Sequence, residues 1–76
     1  MQQYKGFWIS SKAVIIHPNS PDCRSRGTVL RTLKNNSIVE VKRIEGEVFA
    51  RKEEAEMDAL EQCRRWIDAL TSAYKP

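Results

Sequence analysis

Histidine is almost missing from this sequence: His17 is the only one in 76 residues. It stands before Pro18 at a strand end, where a solvated ring is far commoner than a catalytic base. A metal shared between His17 and Cys23 would have two protein ligands, where zinc takes at least three. Glycine is sparse too, with three in the chain. Gly6, Gly27 and Gly46 are scattered, so no Gly-rich loop is available to cradle a phosphate. The two cysteines, Cys23 and Cys63, belong to no C-x-x-C pair and are too few for a disulfide framework. Long apolar runs are also lacking. The longest, Ala13-Val14-Ile15-Ile16, falls far short of the roughly 20 residues that a membrane span requires. Met1-Gln2-Gln3-Tyr4-Lys5 has no apolar stretch of the signal-peptide kind. These absences predict a cytoplasmic protein with no catalytic residues, no cofactor, no metal and no membrane association.

What remains is the composition of a folded chain, 41% hydrophobic and 30% charged, of a size for one domain over residues 1–76. The net charge of +3 hides a polarity. Up to Arg43 there are eight basic residues (Lys5, Lys12, Arg24, Arg26, Arg31, Lys34, Lys42, Arg43) against Asp22 and Glu40, giving +6. From Ile44 onward five basic residues face eight acidic ones, giving −3. A basic surface attracts phosphate or an acidic protein; here it also stands ready to complement the chain's own acidic half.

Tyr4-Lys5-Gly6-Phe7-Trp8-Ile9 is rich in aromatic and β-branched types, which favours a strand. Ser10-Ser11-Lys12 interrupts it before Ala13–Ile16 resumes. The expectation is one long strand with a bulge or bend near Ser10-Ser11, or two short strands. Pro18-Asn19-Ser20-Pro21-Asp22 is a loop. A further strand runs from about Arg26 to Leu33, with Val29, Arg31 and Leu33 on one face and Thr28, Leu30 and Thr32 on the other. Lys34-Asn35-Asn36-Ser37 reads as a tight hairpin with a two-residue type I′ loop. The next strand starts at Ile38, and Gly46 marks a kink or bulge before Val48-Phe49.

From Arg51 the period changes to 3.6. Ala55, Ala59, Leu60, Cys63, Trp66, Ile67, Leu70 and Tyr74 form one apolar stripe, which makes Cys63 a small core residue. Glu54, Asp58, Glu61, Arg65 and Asp68 are assigned to the opposite face, with Glu61 and Arg65 a favourable i,i+4 pair. Glu53, Glu54 and Glu56 crowd the first turns, where the helix dipole favours negative charge, and Lys75 sits at the other end; the carboxylate cluster needs no catalysis to explain it. No usual N-cap residue stands at Ala50 or Arg51, so the helix start is open by a turn. Cys23 falls in a polar loop, with nothing beside it to lower its pKa.

The order predicts an α+β fold: a three-stranded antiparallel sheet, four-stranded if the first strand is split, with one long C-terminal helix packed on one face. One helix covers one face of such a sheet. If Phe7 and Ile9 meet the helix, Trp8 and Tyr4 point away, so the uncovered face carries aromatics near basic side chains. Tyr4, Trp8, Arg24, Arg26, Arg31 and Lys34 are the candidate interaction surface. Three readings follow. The face is closed over by a bent sheet or a loop; it pairs with a second copy or an unidentified protein partner; or its aromatics stack on nucleic-acid bases while the cations reach phosphates.

The pattern Tyr4-Lys5-Gly6-Phe7-Trp8-Ile9, with Val48-Phe49, Glu53-Glu54-Ala55 and Arg65-Trp66-Ile67-Asp68, resembles a group of small stand-alone bacterial β-β-β-α domains of unknown function, over most of the chain. The passage Gly46-Glu47-Val48-Phe49 into Glu53-Glu54-Ala55 is similar to the HicB-like antitoxin fold over about a third of it. The DNA-binding segment of those antitoxins has no counterpart in these residues. Neither resemblance implies catalytic residues.

Overall fold

The structure, a computed structural model, describes residues 1–73. Four strands and one helix follow one another: β1 (Gln2–Tyr4), β2 (Phe7–Ile15), β3 (Cys23–Thr32), β4 (Ile38–Phe49) and α1 (Lys52–Ala73). The strands form one antiparallel meander in the order β1-β2-β3-β4. Tyr74 and Lys75, expected at the end of the helix, lie outside the described residues.

The first strand is split, but at Lys5-Gly6 and not at Ser10-Ser11. Lys5 has φ 47° and Gly6 φ 84°. Positive φ at both centres is the type I′ geometry, whose twist matches a two-residue hairpin. The chain therefore doubles back, and Tyr4 lies opposite Phe7. Paired residues in an antiparallel sheet share a face, so Tyr4 sits on the same side as Phe7 and Ile9. β2 then passes through Ser10 and Ser11 in unbroken register with β3.

The β3–β4 connection also departs from expectation. Only Asn36 has positive φ, at 67°. Its N–H donates to the Leu33 carbonyl at 3.0 Å, and the Leu33 N–H donates to the Ser37 carbonyl at 2.8 Å. This is a three-residue loop, in which one left-handed residue replaces the two that type I′ requires. Two register shifts bend β4 against β3. One leaves Gly46 and Glu47 opposite Ser25, where the glycine predicted a bulge; the other leaves Val41 unpaired.

The helix lies on the face carrying Ile9, Cys23, Ser25, Gly27 and Val29. Ala55, Ala59, Cys63 and Ile67 recur every four residues and are buried. Their small side chains let the helix come very close at Gly27. A methyl group there would lie 2.8 Å from the Ala59 carbonyl oxygen and closer still to the Cys63 sulfur. Ile9, Val29, Cys63 and Ile67 form the core, with Tyr4, Phe7, Ile44, Leu60 and Trp66 packed around it. Helix formation begins at Lys52 without a capping side chain; the Ala55 N–H donates to the Arg51 carbonyl at 3.2 Å.

The helix crosses the sheet diagonally. Its first half is tied to β3, where the Ser25 hydroxyl donates to Asp58 at 2.6 Å, and its second half to β1, where the Tyr4 hydroxyl donates to Asp68 at 2.8 Å. The far corner is left without cover, and every residue from Arg31 to Arg43 is exposed. The molecule measures 47 × 28 × 15 Å, the thickness of one helix laid on one sheet. Among the described residues, no helix is long and apolar enough to cross a membrane.

Candidate interaction surface

With the helix on one side, the register defines the reverse face of the sheet. Trp8, Ser10, Lys12 and Val14 of β2 lie opposite Leu30, Thr28, Arg26 and Arg24 of β3. Those in turn lie opposite Glu40, Arg43, Glu45 and Val48 of β4, and Thr32 lies opposite Ile38. The face is banded. Trp8, Leu30 and Ile38 form an apolar end, Val14 and Val48 flank Arg24 at the other, and hydroxyls and charges fill the middle. Ile38 is 53% exposed and Val48 45%. Trp8, Leu30 and Val14 are half-buried, against their strand neighbours.

Its charges pair in part with one another. Arg26 reaches Glu45 at 2.9 Å, and Arg43 reaches Glu40 at 3.0 Å. Arg24 donates to the Gly46 carbonyl at 3.1 Å, closing the bulge. Among the described residues Lys12 and Arg24 make no ion pair. Four cations thus share the face with two carboxylates.

Of the six residues singled out in the sequence, the structure brings Trp8, Arg24 and Arg26 together on this face. Arg31 follows Val29 on the helix side of β3, at the uncovered corner, and Lys34 lies in the loop beyond it. Tyr4 does not point away from the helix. The reversal at Lys5-Gly6 turns it onto the helix side, where it packs against the core and meets Asp68.

That contact is a second polar cluster, which the sequence did not reveal. Asp68 accepts hydrogen bonds from Tyr4 and from Lys5, the latter at 2.7 Å. The Arg64 guanidinium lies 5.6 Å from the Tyr4 ring centre. The two donors hold the Asp68 carboxyl below its ordinary range, Lys5 contributing most. The hydrogen bond to Asp68 raises both the Tyr4 phenol and the Lys5 ammonium. Asp58 and Asp68 were both assigned to the solvent face of the helix; instead they flank the buried stripe and fasten it to the sheet. Glu61 and Arg65 do pair on the outer face, at 3.2 Å.

Neither cysteine is placed to act as a nucleophile. Cys63 is buried in the core, and burial pushes its thiol up. Cys23, expected in a loop, opens β3 and is 6% exposed, its thiol donating to the Pro21 carbonyl at 3.4 Å. Among the described residues, no three His, Cys, Asp or Glu side chains gather in a way that would hold a metal ion.

No family model, no curated protein and no solved structure matches the chain. The structure shows a β-β-β-β-α topology, and no comparison supports the resemblance to small bacterial β-β-β-α domains or to the HicB-like antitoxin fold.

Proposed function

We propose that this chain is a non-enzymatic cytoplasmic protein-interaction module and that the reverse face of its sheet is the working surface. The observation that carries the reading is the two-layer architecture. One helix shelters one face, and the other presents Trp8, Leu30, Ile38, Val14 and Val48 with no element of the described residues above them. Apolar groups exposed together on a sheet face, here Trp8, Leu30 and Ile38 at one end, mark a contact surface. The internal pairing of Arg26 with Glu45 and Arg43 with Glu40 favours protein over nucleic acid, because it leaves two of the four cations for phosphates and sets two carboxylates against them. The bulges in β4 argue for the face and against its open edge, since bulging is a common way to discourage edge-to-edge pairing.

A photo-crosslinking residue in place of Thr32, which is exposed on this face, tests the reading in living cells, with the same residue in place of Met57 on the outer side of the helix as reference. The expected result is discrete protein adducts from position 32 and none from position 57. An adduct of twice the mass of the chain would identify a second copy. Equal labelling from the two positions, or none from position 32, defeats the reading.

A further inference from the structure

We infer that the reverse face accepts an acidic amphipathic helix of a partner protein, laid along β3. This rests on the reading of that face as a contact surface, and it follows from how apolar and charged groups are spaced there. Trp8, Leu30 and Ile38 lie at one end, and Val14 and Val48 at the other. From Leu30 to Arg24 the strand advances about 20 Å. A helix of about 14 residues spans that length. Between the two ends lie Lys12, Arg26 and Arg43 with the single carboxylate Glu45, and Arg24 stands between Val14 and Val48. The complementary helix carries apolar side chains near its termini and carboxylates between them, on the same side.

The charge on the face selects among occupants. Lys12, Arg24, Arg26 and Arg43 stand against Glu40 and Glu45, an excess of two positive charges. Two copies packed back to back would enclose twice that excess, and charges buried without partners are costly. An acidic partner neutralises it. Its carboxylates reach Lys12 and Arg24 without breaking the Arg26–Glu45 or Arg43–Glu40 pairs. The geometry suits a helix, because one of that length fits along the open face as α1 lies along the other side.

The probes are three synthetic peptides of the stated length. The first has leucines at both ends and glutamates between, the second has lysine in place of each glutamate, and the third has the leucines replaced by serine. Binding is measured by calorimetry at moderate salt, and its location by amide shift changes in NMR spectra of the intact chain. The acidic amphipathic peptide is expected to bind with Kd of about 100 μM or tighter, shifting Trp8, Thr28 and Glu40 and leaving Met57 and Glu61 in place. Lys12→Glu and Ile38→Ser are each expected to weaken it about tenfold. Both residues are exposed, so the variants retain the fold; Met57→Ser is the neutral control.

The inference is overturned by equal binding of the lysine peptide, by binding that survives loss of the leucines, or by shifts confined to the helix side. It is also overturned if duplex DNA or single-stranded RNA shifts the same residues more strongly, or if the face buries itself by dimerisation at NMR concentrations. Failure of all three peptides, with crosslinks still arising at position 32, removes the acidic helix and leaves the contact surface standing. Failure of both removes the two together.

Discussion

At Asp68 one carboxylate accepts hydrogen bonds from two neighbours in sequence, Tyr4 and Lys5, and so fixes where the first hairpin meets the helix. The linkage has two limbs. The Asp68 carboxyl is lowered, so its contribution is complete above the ordinary carboxylate value of 3.8 and fades as pH falls through its lowered value. Tyr4 and Lys5 are raised, so theirs is complete below 10.0 and 10.5 and fades as pH rises past their raised values. The Tyr4 ring resonances are therefore expected to hold steady across the neutral range and to move toward free-tyrosine positions at both extremes. In Asp68→Asn the acid limb disappears. An acid limb that persists in that variant would mean another group anchors the hairpin. Gly27 is the other residue on which placement depends. Gly27→Ala sets a methyl against the Ala59 carbonyl oxygen and the Cys63 sulfur, and is expected to cost about 1–3 kcal/mol in urea unfolding. Cys63→Ala relieves only the sulfur, so in that background the cost falls without vanishing.

Among the elements, α1 was the most legible. Its stripe at three- and four-residue steps survives any detail of tertiary arrangement, and Ala55, Ala59, Cys63 and Ile67 are buried as the period requires. The β1–β2 hairpin was not. Lys5 has a side chain that disfavours positive φ, so Lys-Gly does not announce a type I′ turn as Asn-Gly does, and Tyr4 to Ile9 reads as a single strand. The turn thereby reverses Tyr4, since two residues decide which face it joins. Asp58 and Asp68 were misplaced for a related reason: a helical wheel gives the angle of a residue but not the polar partner that awaits at the rim of the stripe. Arg31 lies off the reverse face because it is an odd number of residues from Arg24 and Arg26 along β3, a parity the alternation itself carries, and Lys34 because it falls in the hairpin loop beyond the strand. The turn itself can be tested. Nothing lies within 4 Å of a methyl group added at Gly6, where φ is 84°. Gly6→Ala thus costs backbone strain alone, about 1–2 kcal/mol, and should speed amide exchange in β1 while leaving β3 protected. Unchanged exchange at Gln3 and Tyr4 would show that the turn does not hold the hairpin.

Taken whole, the molecule has two layers and one core, so its aromatic residues divide by side. Trp66 and Phe7 pack around Ile67 and Val29, whereas Trp8 lies on the reverse face beside Leu30. Stability and contact are thereby separated in space, and substitutions on the two sides should separate in their effects. Ile67→Ala removes a fully buried side chain and leaves a cavity under the helix, a loss of about 2–5 kcal/mol. Trp8→Thr retains a strand-forming residue and gives up mainly one cross-strand pair, a loss of about 1 kcal/mol or less. In a domain of this size each kcal/mol moves the melting temperature by about 4–8 °C. Thermal unfolding should therefore register Ile67→Ala as a large drop and Trp8→Thr as a small one. At the same time Trp8→Thr should abolish crosslinks from position 32 through the loss of the largest apolar group on that face. If Trp8→Thr lowers the melting temperature as far as Ile67→Ala does, Trp8 belongs to a second core. The reverse face would then be a structural layer of the protein, with no partner needed to account for its apolar residues.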